Sequence, residues 1–320
     1  MAYQTGSSSG PTQLLDALRI FAVANGWKEL RWSASGTGQQ LSLQRADQFV
    51  HLRSAVNEPL RPGYGAVSGI FLVGADGFDA AQGWDNQPGM TRNTNNRVEA
   101  CGLYRVTSPC TYHLLSSEPP AQLTLVAEVA PGVFHHLAFG LLIKHGGYPG
   151  GAFVCGAFMS ADYTYDHSND YLFAYRQDHH CGLPFNDFKL HGGAFVRGKV
   201  DSHDGWFSVC HSNPATGKRV KGIWVDGTGS PRESLARYWW THAPNTLNGV
   251  APLLPFYVFV ERPDGYFSPF GYTPHLRYMN IQHYTAAEPF AIGREEWMVF
   301  PGHSKNGKSG VHGYAVRLVR

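Results

Sequence analysis

The chain has 320 residues, a formal net charge of +2, 16% charged residues, 13% aromatic residues, 37 glycines and 20 prolines. So many aromatics with so few charges exclude a disordered chain, and the weight of turn formers excludes a helical bundle or coiled coil. The sequence has no basic block, so nothing in it marks a nucleic-acid groove or a membrane-surface patch.

In chain order, residues 1–10 are small, uncharged and polar, which predicts an arm able to lie along a neighbour's sheet edge. Within it, Gly6-Ser7-Ser8-Ser9-Gly10 has the letters of a nucleophile elbow. That motif needs a strand before the serine, and five residues are too few to expect one. There is no basic segment followed by an apolar one here, so synthesis in the cytosol is expected. Pro11 and Gly26 bracket the one convincing helix, residues 11–25. Leu14, Leu15, Leu18, Phe21 and Ala22 form its apolar stripe.

From Trp27 the period changes to two. Leu30 and Trp32, Leu41 and Leu43, then Val50 and Leu52 predict a meander of three strands. Residues 65–73 predict a further strand. Residues 74–98 predict a long loop, of the kind that is functional or covered by a partner. Leu123, Leu125, Ala127 and Val129 alternate with polar residues, and Pro131-Gly132 turns the chain back into 133–143. A short helix is expected at 231–240, and a terminal hairpin from 296–300 and 314–319. Together these give an α+β, mainly β fold. A helix rests on a small antiparallel sheet in a unit of residues 1–60, followed by a larger antiparallel β body, residues 61–320.

Phosphate-cradling motifs are missing. Sixteen histidines and five cysteines invite a metal centre, but no zinc-type spacing is present. Neighbouring residues on a strand face opposite ways, so His135-His136 and His179-His180 cannot chelate as pairs. If a site existed, Cys181, Cys210, His179 and His211 would be its ligands. The expectation is no metal, no cofactor and no catalytic residue, with free buried thiols. Acids around Asp162–Asp170 and Asp201–Asp204 fit solvated turns, since the calcium-loop pattern fails. No local context marks two carboxylates for sugar hydrolysis. Aromatics crowd 163–175 and a second stretch holding Trp239, Trp240, Tyr257, Phe259, Tyr266, Phe267, Phe270, Tyr272 and Tyr278. Most fill β cores; the excess predicts further burial in an assembly.

Four stretches carry a family resemblance. They are Met1 to Gly6 with the helix and Gly26-Trp27; Gly74 to Gly89; Val126 to Gly140 with Gly146 to Val154; and Ile292 to Pro301 with Gly313 to Arg317. Together they resemble a family of tailed-bacteriophage virion structural proteins. The resemblance implies a non-enzymatic particle component of the tail baseplate or tail tip. Its partners would be other virion tail proteins and further copies of itself, with no nucleic acid and no membrane insertion. The alternatives are a receptor-binding or fibre protein recognising host surface glycan, and a surface-sugar or cell-wall hydrolase.

Overall fold

Small polar residues at the start of the chain form a strand, because a strand needs only a backbone partner. In the computed structural model, β1 (Ala2–Ser8) pairs antiparallel with β7 (Cys110–Ser117), from Ala2 opposite Ser116 to Ser8 opposite Cys110. The Tyr3 hydroxyl meets His113 Nδ1 at 2.9 Å, and Thr5 donates to the Tyr112 carbonyl at 2.9 Å. The arm is therefore paired along one side with its own chain, as the edge strand of a sheet. The structure describes residues 2–59, 66–92, 100–104, 106, 109–156, 194–208, 243–261, 267–301 and 312–318. The expected helix at 231–240, the aromatic run at 163–175 and the loop of the terminal hairpin lie outside these.

Helix α1 (Pro11–Ala24) follows at once. Leu14, Leu15, Leu18, Phe21 and Ala22 are buried, as their spacing predicts; each large side chain stabilises the fold by about 2 kcal/mol. Gly26 ends the helix at φ +83°, a conformation that disfavours any side chain, and Trp27 N–H returns to the Ala22 carbonyl at 3.1 Å.

The other described elements are all β-strands. A five-stranded sheet has the order β2 (Lys28–Ser35), β3 (Gly38–Arg45), β4 (Gln48–Glu58), β5 (Val67–Ala75), β6 (Cys101–Tyr104). It continues past residue 60. A seven-stranded sheet has the order β1, β7, β8 (Gln122–Ala130), β9 (Val133–Leu141), β11 (Ala152–Gly156), β12 (Ala194–Val200), β13 (His203–Ser208). The third sheet runs β10 (Ile143–Lys144), β15 (Phe267–Asn280), β18 (His312–Leu318), β17 (Glu295–Pro301), β16 (Pro289–Ile292), with β14 (Leu254–Glu261) also on β15. All pairings among the described strands are antiparallel, including β8–β9, joined by a turn at Gly132 (φ +72°), and β17–β18. No described helix is long and apolar enough to cross a membrane.

The seven-stranded sheet is the middle layer, and its strands alternate between two cores. Leu123, Leu125, Leu137, Phe139, Val154 and Phe195 face the helix and Leu41, Leu43, Val50, Leu52, Ile70 and Leu72. Val126, Ala138, Phe153, Cys155 and Val196 face Phe256, Val258, Leu276, Tyr278, Phe300, Tyr314 and Val316 of the third sheet. This corrects the expectation of a helix resting on one small sheet. The helix leaves the end of β1, touches β1 and β7 as well as β3, β4 and β5, and shares a core with the middle layer.

Residues 76–87 of the long loop after β5 are held from within the chain. Arg31 donates to the carbonyls of Gln82 (2.6 Å), Ala80 (2.6 Å) and Asp79 (3.1 Å), with its guanidinium 4.9 Å over the Phe78 ring. Gln87 Nε2 donates to the Asp79, Gln82 and Gly83 carbonyls at 2.8–3.1 Å, and Trp84 is buried. Asp76 accepts from Arg197 at 2.7 Å and Trp206 at 3.1 Å, fastening the loop to the middle sheet. Arg31→Ala is thus expected to raise the rate of limited proteolysis within 77–87 at least tenfold while global melting moves by only a few degrees. Equal cleavage rates would show that Arg31 does not hold the loop.

Candidate functional site

The third sheet turns one face to the core and one away from it. Phe256, Val258, Leu276 and Tyr278 point inward, so alternation sends Pro255, Tyr257 and Arg277 outward. On neighbouring strands the same face carries Ala315 and Arg317, then Glu295, Trp297 and Val299; Arg277 pairs with Ala315 and Trp297 with Arg317. The 243–253 segment folds over part of this face, packing Ala251 and Leu253 on Met279, Trp297, Val299 and Ala315.

Between that segment and the sheet lies a cleft of about 680 Å³, whose lining includes Asn245, Asn248, Arg277, Ile292, Glu295 and Trp297. A bulge shapes it. Pro255 and Phe256 are adjacent on β14 but pair with Arg277 and Thr273, so β15 has extra residues between them. Arg277 Nη1 donates to the Thr273 carbonyl at 2.7 Å and the Leu276 carbonyl at 2.9 Å. Its guanidinium carbon stands 5.7 Å from the Trp297 ring centre. Burial pulls the Arg277 pKa below its ordinary value, against the pull of Tyr272 and Glu295. Glu295 is paired with Arg317 at 2.7 Å. Among the described residues no carboxylate pairs with Arg277, and Trp297 Nε1 is buried with no acceptor.

Beside the cleft is an aromatic platform. Tyr257 and Tyr272 are cross-strand partners with ring centres 6.0 Å apart. His145 lies 6.0 Å from the first and 5.7 Å from the second. Tyr257 is 38% exposed. It sits two residues, about 7 Å, along β14 from Pro255, the partner of Arg277. This arrangement can stack on a flat ring and bind an anionic group. The described cleft lining holds one carboxylate, Glu295.

The aromatic stretch noted in the sequence thus divides. Phe270 and Tyr278 are core, whereas Tyr257 and Tyr272 form the platform. Arg277, Glu295 and Trp297 carry no signal in the sequence that marks them as a site. They become neighbours only through the strand order β15–β18–β17. The metal candidates Cys181, Cys210, His179 and His211 lie outside the described residues. Among the described residues no three His, Cys, Asp or Glu side chains could hold an ion. His136 instead hydrogen-bonds the Tyr314 hydroxyl between two sheets. Asp204 is ion-paired with Arg197, which holds its pKa down. Ser8 does lie between a strand and a helix, correcting the expectation at that point. Its hydroxyl is buried and donates to the Gly10 carbonyl at 2.8 Å, within the turn.

Cys101, Cys110 and Cys155 are buried, and burial pushes the thiols of Cys110 and Cys155 up. Alkylation of these three by iodoacetamide at pH 8 is expected to be at least a hundredfold slower in the native protein than in guanidinium. Peptide mapping checks this, and comparable native and denatured rates would contradict the burial.

No family model matches this chain, and no curated protein matches it.

Proposed function

We propose that this chain is a structural component of a tailed-bacteriophage particle, in the tail baseplate or tail tip. It acts by symmetric assembly with other virion proteins and with copies of itself. The observation that carries this reading is where the resembling stretches fall. They coincide with β1 and α1, with the self-held loop after β5, with β8, β9 and β11, and with β17 and β18. Trp27, Trp84, Phe139, Phe153, Trp297 and Tyr314 within them are buried. The likeness therefore follows the framework that sets a subunit's shape, which is what an assembling protein must preserve. Ile20 and Val23, 54% and 45% exposed, leave apolar surface on the outer side of the helix for a neighbour.

Immunogold electron microscopy of purified particles tests the reading. Gold at the distal tail supports it. Gold on the head or neck removes the baseplate assignment. Absence of both gold and tryptic peptides from the particle removes the virion assignment.

A second reading, recognition of a host surface glycan from the tail, is favoured by the aromatic platform beside the Arg277 cleft. The two are compatible, since a tail-tip subunit can present a binding face.

A further inference from the structure

We infer that the outer face of the third sheet is a binding site for an acidic saccharide, a sugar ring bearing a carboxylate. The inference rests on the glycan-recognition reading and narrows it to a substrate class. Three independent features of the face point to the same ligand.

The first is charge. Arg317 neutralises Glu295 through its 2.7 Å ion pair, whereas Arg277 has only backbone carbonyls as hydrogen-bond partners among the described residues. Both of those bonds use Nη1, so Nη2 and Nε remain as donors on a guanidinium that no carboxylate among the described residues pairs with. A carboxylate accepts from a guanidinium edge in a two-point geometry that a hydroxyl cannot reproduce. The second is the polar lining. Asn245 Oδ1 accepts from Leu247 N–H at 2.8 Å, and Asn248 Oδ1 from Val250 N–H at 3.0 Å. Each carbonyl oxygen is spent on holding the segment. Each Nδ2 is left as a donor without an acceptor among the described residues. Arg277, Asn245 and Asn248 thus offer donors, the complement of carboxylate and ring oxygens.

The third is the platform. Tyr257, Tyr272 and His145 group their rings on the same face, about 7 Å along β14 from the Arg277 position. That is about the span of one sugar residue, so one ring can stack while the carboxylate of the next meets Arg277. The binding machinery sits on strands, with the β15 bulge aiming Arg277 and the Trp297 ring backing its guanidinium.

The test is isothermal titration calorimetry on the full chain with a panel of acidic oligosaccharides. The panel holds trigalacturonate, trimannuronate, triguluronate, a hyaluronan tetrasaccharide and a sialic acid trimer. Each is compared with its methyl ester, which keeps the ring and removes the charge, and with neutral trisaccharides. At least one acid is expected to bind, and its ester at least tenfold more weakly. Arg277→Gln is expected to weaken the acid at least tenfold, approaching the ester. Because Arg277 also caps the bulge, Tyr257→Ala serves as a second variant. Its side chain is partly exposed, so melting stays unchanged while affinity falls about fivefold. Equal affinity for acid and ester overturns the charged-ligand inference and leaves glycan recognition standing. Silence across acids, esters and neutral sugars overturns both, without touching the virion assignment.

Discussion

Bringing the protein from pH 7 to pH 4 is expected to remove about 6 kcal/mol of folding stability through two buried histidines. His51 is fully buried, with Nε2 3.1 Å from the Gly77 carbonyl and Nδ1 2.9 Å from the Ser42 hydroxyl. The carbonyl requires the proton on Nε2, so Nδ1 accepts from Ser42 and the ring is neutral. Burial, with the nearby charge of Arg31, pulls its pKa down to about 4. His275 is 6% exposed, with Nε2 3.4 Å from the Pro119 carbonyl and no partner for Nδ1 among the described residues. Burial, with Arg317 and Arg277 nearby, takes it to about 4 as well. His113 shifts in the same direction for the same reason.

The sign follows from which state takes the proton. Below about pH 6.5 the unfolded chain protonates these rings and the folded chain does not. Stability is therefore full above about pH 6.5, falls as the pH drops toward about 4, and levels off below that. Each ring accounts for about 3 kcal/mol, and the two sites are treated as independent. Against a usual total of about 5–15 kcal/mol, that places acid unfolding within reach of pH 4. Urea melts at half-unit pH steps measure the slope. Replacing both residues (His51→Gln, His275→Gln) is expected to lower stability at pH 7 by a few kcal/mol and to flatten the profile between about pH 6.5 and 4. An unchanged slope in the double variant would assign the acid sensitivity elsewhere.

These histidines also mark where the sequence stops being legible. The helix is readable because Leu14, Leu15, Leu18 and Phe21 bury one face at a period of about 3.6, and Pro11 and Gly26 punctuate its ends. The β8–β9 hairpin is readable for the matching reason at period two. The middle layer is not. A period-two test finds one buried face and assigns the polar residues between to solvent. Yet Gln122, Thr124, His113 and His136 are buried against a second layer. Polar side chains can fill that face because they find partners there, as His136 does in Tyr314. β1 is hidden because its stability lies in a backbone ladder, which leaves no side-chain pattern. The loop after β5 reads as one awaiting a partner. Its partner is Arg31, far earlier in the chain, a spacing that carries no local signal. The cleft is hidden most deeply. Arg277 is an ordinary strand residue until the bulge opposite Pro255 and Phe256 turns it toward the Trp297 ring.

Trp27→Ala is expected to cost about 3–5 kcal/mol, the loss typical of a fully buried large side chain that leaves a cavity. Trp27 is 2% exposed and meets Phe139 of β9 edge to face, with ring centres 4.9 Å apart. It stands just past the turn that ends α1, so one side chain ties the helix to the middle sheet and closes the core shared with the five-stranded sheet. Its indole nitrogen is buried without an acceptor among the described residues. Trp27→Phe therefore removes an unsatisfied donor along with some volume, and its cost is expected to be only about 1 kcal/mol. Trp32→Ala provides the contrast. That ring is partly buried, with the Arg19 guanidinium 5.0 Å over it, and its loss is expected to cost about 1 kcal/mol. Equilibrium denaturation of the three variants separates the cases. If the stability of Trp27→Ala falls far below that of Trp27→Phe, while Trp32→Ala stays near the parent, the helix and middle sheet unfold as one unit. If Trp27→Ala instead produced a separate early transition, while near-ultraviolet signals from the other tryptophans persisted, the helix and its sheet would be an independent unit. The continuous core drawn between the two layers would then be wrong.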